Sequence, residues 1–208
     1  MENQERFTIR RAKVDDLAEV AKVHVAGFKG YFMTKLGEDI IEDYYKAYLE
    51  EDDLFVVACD NEKDGKIVGF YMGYYAGTKA LSIFENRNRW KLIRRLAWLC
   101  LKFDKDAITR CWARVCGVFN KKKPSPIRFK SDIGMLSSTV LDEYRGKGIM
   151  TELINASVKI VKEKYPNEPK TYHGTTHLFN KKMRSYYIKN GYTEDCIIGE
   201  SVRYVKTF

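Results

Sequence analysis

The sequence predicts an α/β (α+β) sheet domain, and three observations lead to that class. Short apolar or alternating segments, typical of strands, are separated by longer segments whose apolar residues recur at helical spacing. The two kinds of segment alternate in a mixed order along the chain. Apolar residues make up 45% of the 208 residues, which is enough for one hydrophobic core. We therefore expect a single domain over residues 1–208.

The first third of the chain predicts a strand, two helices and a β-hairpin. Asp15 and Asp16 open the first helix, and Gly27 and Gly30 end it. A turn rich in Asn, Asp and Gly at 61–66 joins two apolar strands into the hairpin. In chain order the elements are a strand at 7–10, a helix from Asp15 to Gly27, a helix at 37–48, and strands at 54–59 and 67–76.

Further strands and helices alternate after residue 130. Apolar residues recur at helical spacing from Met150 to Val161, and Pro166 stops this helix. Asn180 caps the next helix, and Gly191 terminates it. In chain order the elements are a strand at 134–140, a helix that reaches Tyr165, a strand at 170–176, a helix at 180–190, and strands at 192–198 and 201–208.

Between the hairpin and the strand at 134–140 lies a basic segment, residues 79–130, which we interpret as a helical insertion. It carries 15 Lys and Arg against three Asp and Glu, a net charge of +12, whereas the whole chain carries +9. Helical spacing predicts two amphipathic helices, at 90–100 and 108–119. Three interpretations of this segment are open: solvated helices that cover a sheet edge, a wall for an anionic substrate, and contact of 90–119 with a membrane surface. No recognised nucleic-acid module accompanies the charge, so we expect no nucleic-acid partner.

Composition narrows the class of protein and its location. Five cysteines without a CxxC pair argue against a disulfide framework or a structural zinc site and favour a reducing cytoplasm. Three scattered histidines predict no metal site. The polar residues 1–6 do not resemble a signal peptide, and the longest apolar run, 96–101, is too short to span a membrane.

The run from Tyr144 to Met150, YRGKGIM, predicts an anion site. It lies between a strand and a helix, where Gly146 and Gly148 allow a tight turn whose N–H groups converge, and Arg145 and Lys147 add charge. A P-loop requires GxxxxGK[ST], which is absent, and a Rossmann fingerprint requires a third glycine where Thr151 stands. A solvated turn without a ligand is the remaining alternative.

Two segments resemble the GNAT superfamily of N-acetyltransferases. Residues 135–150 are similar to its acetyl-CoA motif, Arg/Gln-x-x-Gly-x-Gly/Ala, in which Arg145 and Gly148 fit and Met150 departs from the small final residue. Residues 180–192 are similar to its later helix, with Asn at the start and a Tyr pair before Gly. The pattern His24-x-x-Gly27-Phe28, followed by residues 31–37, resembles a bacterial subset with a helical insertion that often acts in surface-polysaccharide or sugar modification.

The resemblance implies the GNAT fold, a mixed and mostly antiparallel sheet of about seven strands flanked by helices. It implies acetyl-CoA as co-substrate, no metal, and direct transfer of the acetyl group to a primary amine of a small molecule in a ternary complex. An amino-sugar or a nucleotide-linked sugar is the acceptor that the narrower subset suggests. Another acyl-CoA donor, a hydroxyl acceptor, and a non-catalytic CoA-binding or membrane-associated module remain alternatives, and the oligomeric state is left open.

The resemblance also assigns roles to residues. Tyr187 is the general acid for the CoA sulfur, whereas Tyr186 is assigned to packing. Backbone donors near Thr139 and Val140, in a strand that a bulge separates from its neighbour, receive the thioester carbonyl. His173 is the candidate general base; His24, which we assign mainly to structure, Glu85 and a water chain are its alternatives. The predicted CoA-binding residues are Ser138, Thr139, Val140, Arg145, Gly146, Lys147, Gly148, Ile149, Met150, Thr151 and Asn180.

Overall fold

The computed structural model describes residues 6–52, 54–109, 111 and 130–208 and builds them around one seven-stranded sheet. The strands lie in the order β1-β2-β3-β4-β5-β7-β6, and each neighbouring pair is antiparallel except β4 with β5. The predicted mixed, mostly antiparallel sheet is thereby confirmed. The strands are β1 (Phe7–Arg11), β2 (Leu54–Asp60), β3 (Lys66–Tyr75), β4 (Ile133–Val140), β5 (Thr171–His177), β6 (Thr193–Ile198) and β7 (Ser201–Thr207).

Helices cover both faces of the sheet. Alternate residues of β2 point to opposite faces, so Phe55 and Val57 join one core cluster and Val56 joins the other. Every residue of β2 is buried, as expected for a strand that is covered on both faces. The helices are α1 (Leu17–Gly27), α2 (Phe32–Leu36), α3 (Glu38–Glu50), α4 (Ala80–Arg87), α5 (Arg89–Leu101), α6 (Ile149–Lys164) and α7 (Lys181–Lys189). The first five pack on one face, and α6 and α7 pack on the other.

The sheet opens between β4 and β5. These two strands pair only at their first residues, Ile133 with Tyr172 and Gly134 with His173. After that point β5 remains paired with β7 along its length, so the edge of β4 that faces β5 becomes available to a ligand. A bulge at Leu136 lies at this point, because Met135 and Ser137 face consecutive residues of β3. The bulge is earlier in β4 than the sequence predicts.

The basic segment, residues 79–130, begins with two helices where the sequence predicts one near 90–100. The chain bends at Asn88, which separates α4 from α5. Residues 105–109 are helical, but most of the helix predicted at 108–119 lies outside the described residues. The short α2 is also absent from the prediction, because five residues are too few for a helical period to appear. A hydrogen bond of 2.7 Å from Thr34 Oγ1 to the Phe28 carbonyl holds α2 against α1.

Ion pairs attach α5 to the acidic face of α3. Lys91 Nζ lies 2.6 Å from Asp43 Oδ2 and 3.0 Å from Asp39 Oδ2. Arg95 also contacts Asp39 at 3.3 Å. These half-exposed pairs each contribute little stability, about 0–1 kcal/mol, but they fix which side of α5 faces the domain. No helix among the described residues is both long and apolar enough to cross a bilayer.

Candidate active site

The turn after β4 builds an anion site from backbone. Gly146 and Gly148 have φ values of +81° and +80°, and an added Cβ at either position would meet nothing within 4 Å. Glycine is therefore required at these two positions by the backbone conformation and not by crowding from neighbouring atoms. Gly148 caps α6 without a side chain, and the first helical bond runs from Glu152 N–H to Gly148 O at 3.2 Å. The N–H groups of the first turn therefore lack helical partners and are available to an anion.

A cavity of about 550 Å³ lies over this turn, and we call it the turn cavity. Its wall contains most of the predicted CoA-binding residues, from the end of β4, from the turn and from the start of α7. They are Ser138, Thr139, Val140, Arg145, Gly146, Gly148, Ile149, Met150, Thr151 and Asn180. Lys147 is not in the wall: its Nζ lies 5.1 Å from the ring centroid of Tyr144 and 6.0 Å from that of Phe7.

Arg145 and Asn180 both line the turn cavity, and each also makes a hydrogen bond to a nearby backbone group. The Arg145 Nη1 lies 2.8 Å from Asp142 Oδ1, and its Nε donates to the Val140 carbonyl at 3.2 Å. Asn180 Oδ1 accepts the Met183 N–H at 3.1 Å, as the sequence predicts for a helix cap. Because the cap uses Oδ1, the Nδ2 donor of Asn180 remains to face the cavity.

Tyr186 also lines the turn cavity, although the sequence assigns it to packing. It lies on the same face of α7 as Lys182 and Met183, which line the same wall. Burial raises the pKa of Tyr186 above its usual value, while a hydrogen bond with Thr151 opposes that rise. The spacing from Lys182 to Tyr186 is the signal that could have placed this side chain in the site.

A second cavity, of about 520 Å³, adjoins the first, and we call it the aromatic cavity. The two share residues from α1, the following loop, β4 and α7, namely Phe28, Tyr31, Ser138, Asn180 and Met183. Its wall combines aromatic rings with the hydroxyl groups of β4, β5 and β7. Among the described residues, no Asp, Glu, Lys or Arg contributes to this wall. The opening between β4 and β5 therefore leads from an anion site to an uncharged pocket.

Tyr187 lies in the wall of the aromatic cavity and is fully buried. Its hydroxyl donates to Met135 Sδ at 3.2 Å, and its ring stacks on Tyr204 with centroids 4.9 Å apart. Gly174 leaves room for the ring, because a Cβ there would clash with the Tyr187 hydroxyl. Burial raises the pKa of Tyr187 far above its usual value, so the phenol keeps its proton at neutral pH.

His24 lines the aromatic cavity as well. Its Nδ1 lies 2.6 Å from Tyr45 Oη, which lies 2.5 Å from Ser137 Oγ. The side chain is only 5% exposed, and burial lowers the pKa of His24 to about 4. Its Nε2 is buried and has no hydrogen-bond partner among the described residues. The structural role that the sequence assigns to His24 thus accounts for Nδ1, which contacts Tyr45, but it does not account for Nε2.

His173 lies outside both cavity walls. Its Nδ1 lies 2.7 Å from Ser131 Oγ and its Nε2 3.3 Å from Tyr74 Oη, at the closed end of the β4–β5 opening. Burial, with a smaller contribution from Arg203, lowers the pKa of His173 to about 4. The structure does not bring His173 to Tyr187, and its role as general base stays a prediction without a supporting contact.

Two other titratable residues, Glu85 and His177, can be compared as possible general bases. Glu85, on α4, lines neither cavity. His177, at the end of β5, lines the aromatic cavity, and its buried Nδ1 has no partner in the described part of the chain. The sequence analysis missed His177; the period of two that relates it to Thr175, another wall residue, is the available signal. Within the described ranges, no group of three or more His, Cys, Asp or Glu is placed to hold a metal ion.

Comparisons with known proteins agree with the fold. Residues 19–192 match the model of the acetyltransferase (GNAT) family. No curated protein sequence matches the chain. Solved structures that it resembles include the PaiA N-acetyltransferase of Thermoplasma acidophilum in complex with coenzyme A, at 16% identity and a TM-score of 0.57, over 97% of this chain and 99% of that one.

Two further solved structures resemble the chain. The ribosomal-protein-S18-alanine N-acetyltransferase of Escherichia coli is 9% identical, with a TM-score of 0.56 over 97% of this chain and 93% of that one. The histone acetyltransferase HPA2 and related acetyltransferase of Corynebacterium glutamicum is 13% identical, with a TM-score of 0.56 over 97% and 96%. At these identities the likeness shows a shared fold.

Proposed function

Because the chain belongs to the acetyltransferase (GNAT) family, whose co-substrate is acetyl-CoA, we propose that it acetylates a primary amine of a small molecule by direct attack in a ternary complex. One observation carries the proposal. The opening between β4 and β5 joins the turn cavity, which is built for an anion, to the aromatic cavity, which is uncharged. A donor with a charged end and a reactive thioester end fits this arrangement.

The turn supports the donor site. The N–H groups of the turn and of the first turn of α6 would bind the pyrophosphate, with Arg145 at its edge. Met150 occupies the wall where the motif has a small residue, but its backbone N–H remains in the first helical turn. Asn180 Nδ2 and Tyr186 would contact the arm that leads toward the opening.

The chemistry requires three groups along that path. Backbone N–H groups of β4 near Thr139 and Val140 would receive the thioester carbonyl and stabilise the oxyanion that forms. The neutral amine forms the C–N bond and passes its surplus proton to water. The C–S bond then breaks, and the Tyr187 phenol donates its proton to the departing thiolate. Tyr187 regains that proton from solvent, so that the reaction yields an amide and free CoA.

The aromatic cavity supports an acceptor with an uncharged body. Phe28, Tyr31 and Tyr44 offer ring faces, while Ser137 and Thr175 offer hydroxyl groups. Sugars present both apolar ring faces and hydroxyl groups, so we propose an amino-sugar, free or nucleotide-linked. A polyamine fits less well, since no carboxylate among the described residues lines this wall to bind a second ammonium group. Free thiols at the four described cysteines agree with a cytoplasmic location, which we also propose.

The test is turnover of acetyl-CoA on a panel of amino-sugars, nucleotide-linked amino-sugars, polyamines, amino acids and peptide N-termini, followed by release of free thiol. We expect the highest kcat/KM with an amino-sugar, and a product that resists hydroxylamine, as amides do. A hydroxylamine-labile product would show a hydroxyl acceptor instead. Tight CoA binding without turnover on any acceptor would favour a non-catalytic CoA-binding module.

A second candidate binding surface is the outer face of α5, within the proposed insertion at 79–130. Trp90 is 74% exposed, Trp98 45% and Leu101 79%, and they recur at helical spacing on the exposed side of α5. Arg94 and Lys102 lie beside them, and Lys102 Nζ is 3.9 Å from the Trp98 ring centroid. Aromatic and basic residues together suit a surface of anionic lipid headgroups, so we propose peripheral membrane contact here.

Sedimentation with phosphatidylglycerol vesicles tests the membrane contact. We expect co-sedimentation at low salt, weaker binding at high salt, and loss of binding in Trp90→Ser with turnover unchanged. Lys159→Ser, on the exposed face of α6, is the control. An absence of co-sedimentation at low salt would remove this proposal and leave the acetyltransferase proposal intact.

A further inference from the structure

His24, a buried residue in the wall of the aromatic cavity, has one ring nitrogen without a partner in the described part of the chain. His24 Nε2 makes no hydrogen bond among the described residues, although the side chain is only 5% exposed and lines the cavity. Leaving a buried polar atom without a partner is destabilising, so such atoms call for an explanation. A ligand in the cavity that supplies the missing partner is one.

We infer that His24 Nε2 accepts a hydrogen bond from the amine nitrogen of the acceptor and so aims that amine at the thioester. The inference rests on the proposed function, which it deepens by naming the group that orients the nucleophile. It goes beyond the sequence expectation, in which His24 is mainly structural.

The imidazole ring is held by contacts on its other sides. Nδ1 and Tyr45 Oη are 2.6 Å apart, and Tyr45 Oη and Ser137 Oγ are 2.5 Å apart. The rings of Phe28 and Phe70 pack against it, at centroid distances of 4.6 and 6.3 Å. The inference requires the tautomer with its proton on Nδ1 and with Tyr45 donating to Ser137, because this direction leaves a lone pair on Nε2.

The position of α1 brings this nitrogen to the opening in the sheet. Gly27 lies three residues after His24 on the same face of α1, and a Cβ at Gly27 would clash with the Thr139 side chain. The helix therefore crosses β4 where the thioester carbonyl is proposed to bind. Ser137, the end of the hydrogen-bonded chain from His24, is the neighbour of Ser138, which lines both cavities.

The ring environment also sets which acceptors fit. Burial keeps the ring neutral at pH 7, and Tyr45 is the titratable group in contact with it. A neutral ring does not repel an incoming amine. A primary amine keeps one N–H on Nε2 while it loses the other after attack, whereas a secondary amine must give up its only N–H, and with it the hydrogen bond, when it loses its proton. His24 therefore selects for primary amines.

Variants of His24 separate the two ring nitrogens. His24→Asn keeps a polar atom near the position of Nδ1, in reach of Tyr45, and removes the atom at Nε2; His24→Gln reaches toward the position of Nε2. We expect His24→Asn to lower kcat/KM for the best amine acceptor by about tenfold or more, with the acetyl-CoA Kd unchanged. His24→Gln should recover part of that loss. A folded His24→Asn protein with wild-type kcat/KM would overturn the inference.

Substrate analogues provide a second test, in which the acceptor is changed instead of the protein. With wild type, N-methylation of the acceptor amine should cost at least about tenfold in kcat/KM, and His24→Asn should narrow that difference, since the selecting atom is gone. Equal discrimination by both proteins would assign the selectivity to the shape of the cavity and contradict the role of His24.

A binding measurement distinguishes failure of the inference from failure of the proposed function. In protein with ¹⁵N-labelled histidine and CoA bound, saturating glucosamine should shift the His24 Nε2 resonance as its lone pair accepts a hydrogen bond. That shift supports the inference even if turnover is absent. An unshifted Nε2 in an enzyme that acetylates the sugar overturns the inference and leaves the function intact; an unshifted Nε2 together with no turnover on any acceptor of the panel overturns both.

Discussion

We propose Tyr187 as the general acid because of its position and because its hydroxyl is protonated at neutral pH. It lines the aromatic cavity beside the β4–β5 opening, and burial raises its pKa, which keeps its proton in place. Tyr187→Phe removes the hydroxyl but keeps the ring that stacks on Tyr204. We expect kcat to fall roughly 10²-fold, because the thiolate then leaves without a positioned proton donor. Stopped-flow or steady-state thiol release measures the effect.

The adjacent Tyr186 provides the control for that prediction. It is on the same helix but lines the turn cavity. Tyr186→Phe should therefore alter the acetyl-CoA Kd more than kcat, whereas Tyr187→Phe should do the opposite. Unchanged kcat in Tyr187→Phe would exclude this tyrosine as the acid.

Gly148 tests whether the turn binds its ligand through backbone conformation. At a φ of +80°, Gly148→Ala strains the backbone and disturbs the N–H groups that precede α6. We expect an acetyl-CoA Kd about tenfold higher, measured by calorimetry. Gly199→Ala is a matched control, because Gly199 has a φ of +58° and open space around it but lies in the β6–β7 turn. Similar losses of CoA affinity in both variants would show a general effect of destabilisation.

At the residue scale, motif spacing could predict the turn but not the direction of every side chain. Most predicted CoA-binding residues line the turn cavity because they belong to one continuous segment. Lys147 belongs to the same segment, yet its ammonium group packs on aromatic rings from Phe7 and Tyr144. Phe7 is far away in the sequence, so nothing local could indicate that contact. His177 and Tyr186 are absent from the predicted site for a similar reason: the walls come from several elements.

Among the elements, the N-cap residue of α7 has one role that the structure shows and a second that we propose. Asn180 caps the helix through Oδ1 and faces both cavities. Asn180→Asp preserves the cap oxygen and adds a favourable charge at the helix N-terminus, but it removes the Nδ2 donor and repels phosphate. We expect a Tm at or slightly above that of the wild type, with weaker CoA binding. Asn180→Ala should lose both, with a free energy of unfolding lower by about 1 kcal/mol.

The two variants together decide the assignment. A lower Tm in Asn180→Asp, measured by calorimetry, would mean that the amide nitrogen contributes to the fold. Normal CoA affinity in Asn180→Asp would restrict Asn180 to the cap.

The elements themselves are largely predictable from local patterns, but their pairing is not. Strand positions follow from alternation, and the final two strands read as a pair. Which of them joins β5 depends on contacts distant in sequence. The burial pattern gives a partial signal: β7 is buried over Val202–Val205, as an inner strand is, whereas β6 begins with the exposed Thr193 and Glu194 of an edge. The bulge at Leu136 has no such signal, because it arises from the match between β3 and β4.

At the scale of the whole molecule, charge is divided between two parts of the chain. The basic segment 79–130 carries a net charge of +12, and its α5 meets the acidic face of α3 through Lys91 and Arg95. Composition alone reveals the imbalance, but not which basic residues are paired. The ion pairs leave Arg94 on the outer side with the exposed tryptophans, which is why the outer face of α5 is the basic surface to test.

The buried histidines make global stability depend on pH between about 4 and 6.5. Burial lowers the pKa of His24 to about 4, whereas an unfolded chain titrates near 6.5. Between these values the unfolded state binds a proton that the folded state does not, so the free energy of unfolding falls as pH falls. The slope for His24 is up to about 1.4 kcal/mol per pH unit, and His173, which is less buried, adds a smaller change of the same sign.

Urea unfolding at pH 7.0, 6.0 and 5.0 measures that slope. The wild-type protein should lose stability steadily over this range, and His24→Asn should show a shallower dependence, because it has one fewer group that must stay uncharged when folded. The pH dependence of the His24→Asn His173→Asn double variant should be flatter still.

Asp16 and Asp104, whose pKa values Arg10 and Lys35 lower, affect stability only nearer pH 4 and below, so they do not account for a slope above pH 5. Equal slopes in wild type and both variants would mean that the His24 ring is hydrated in solution, and would also remove the basis for a neutral Nε2 in the aromatic cavity.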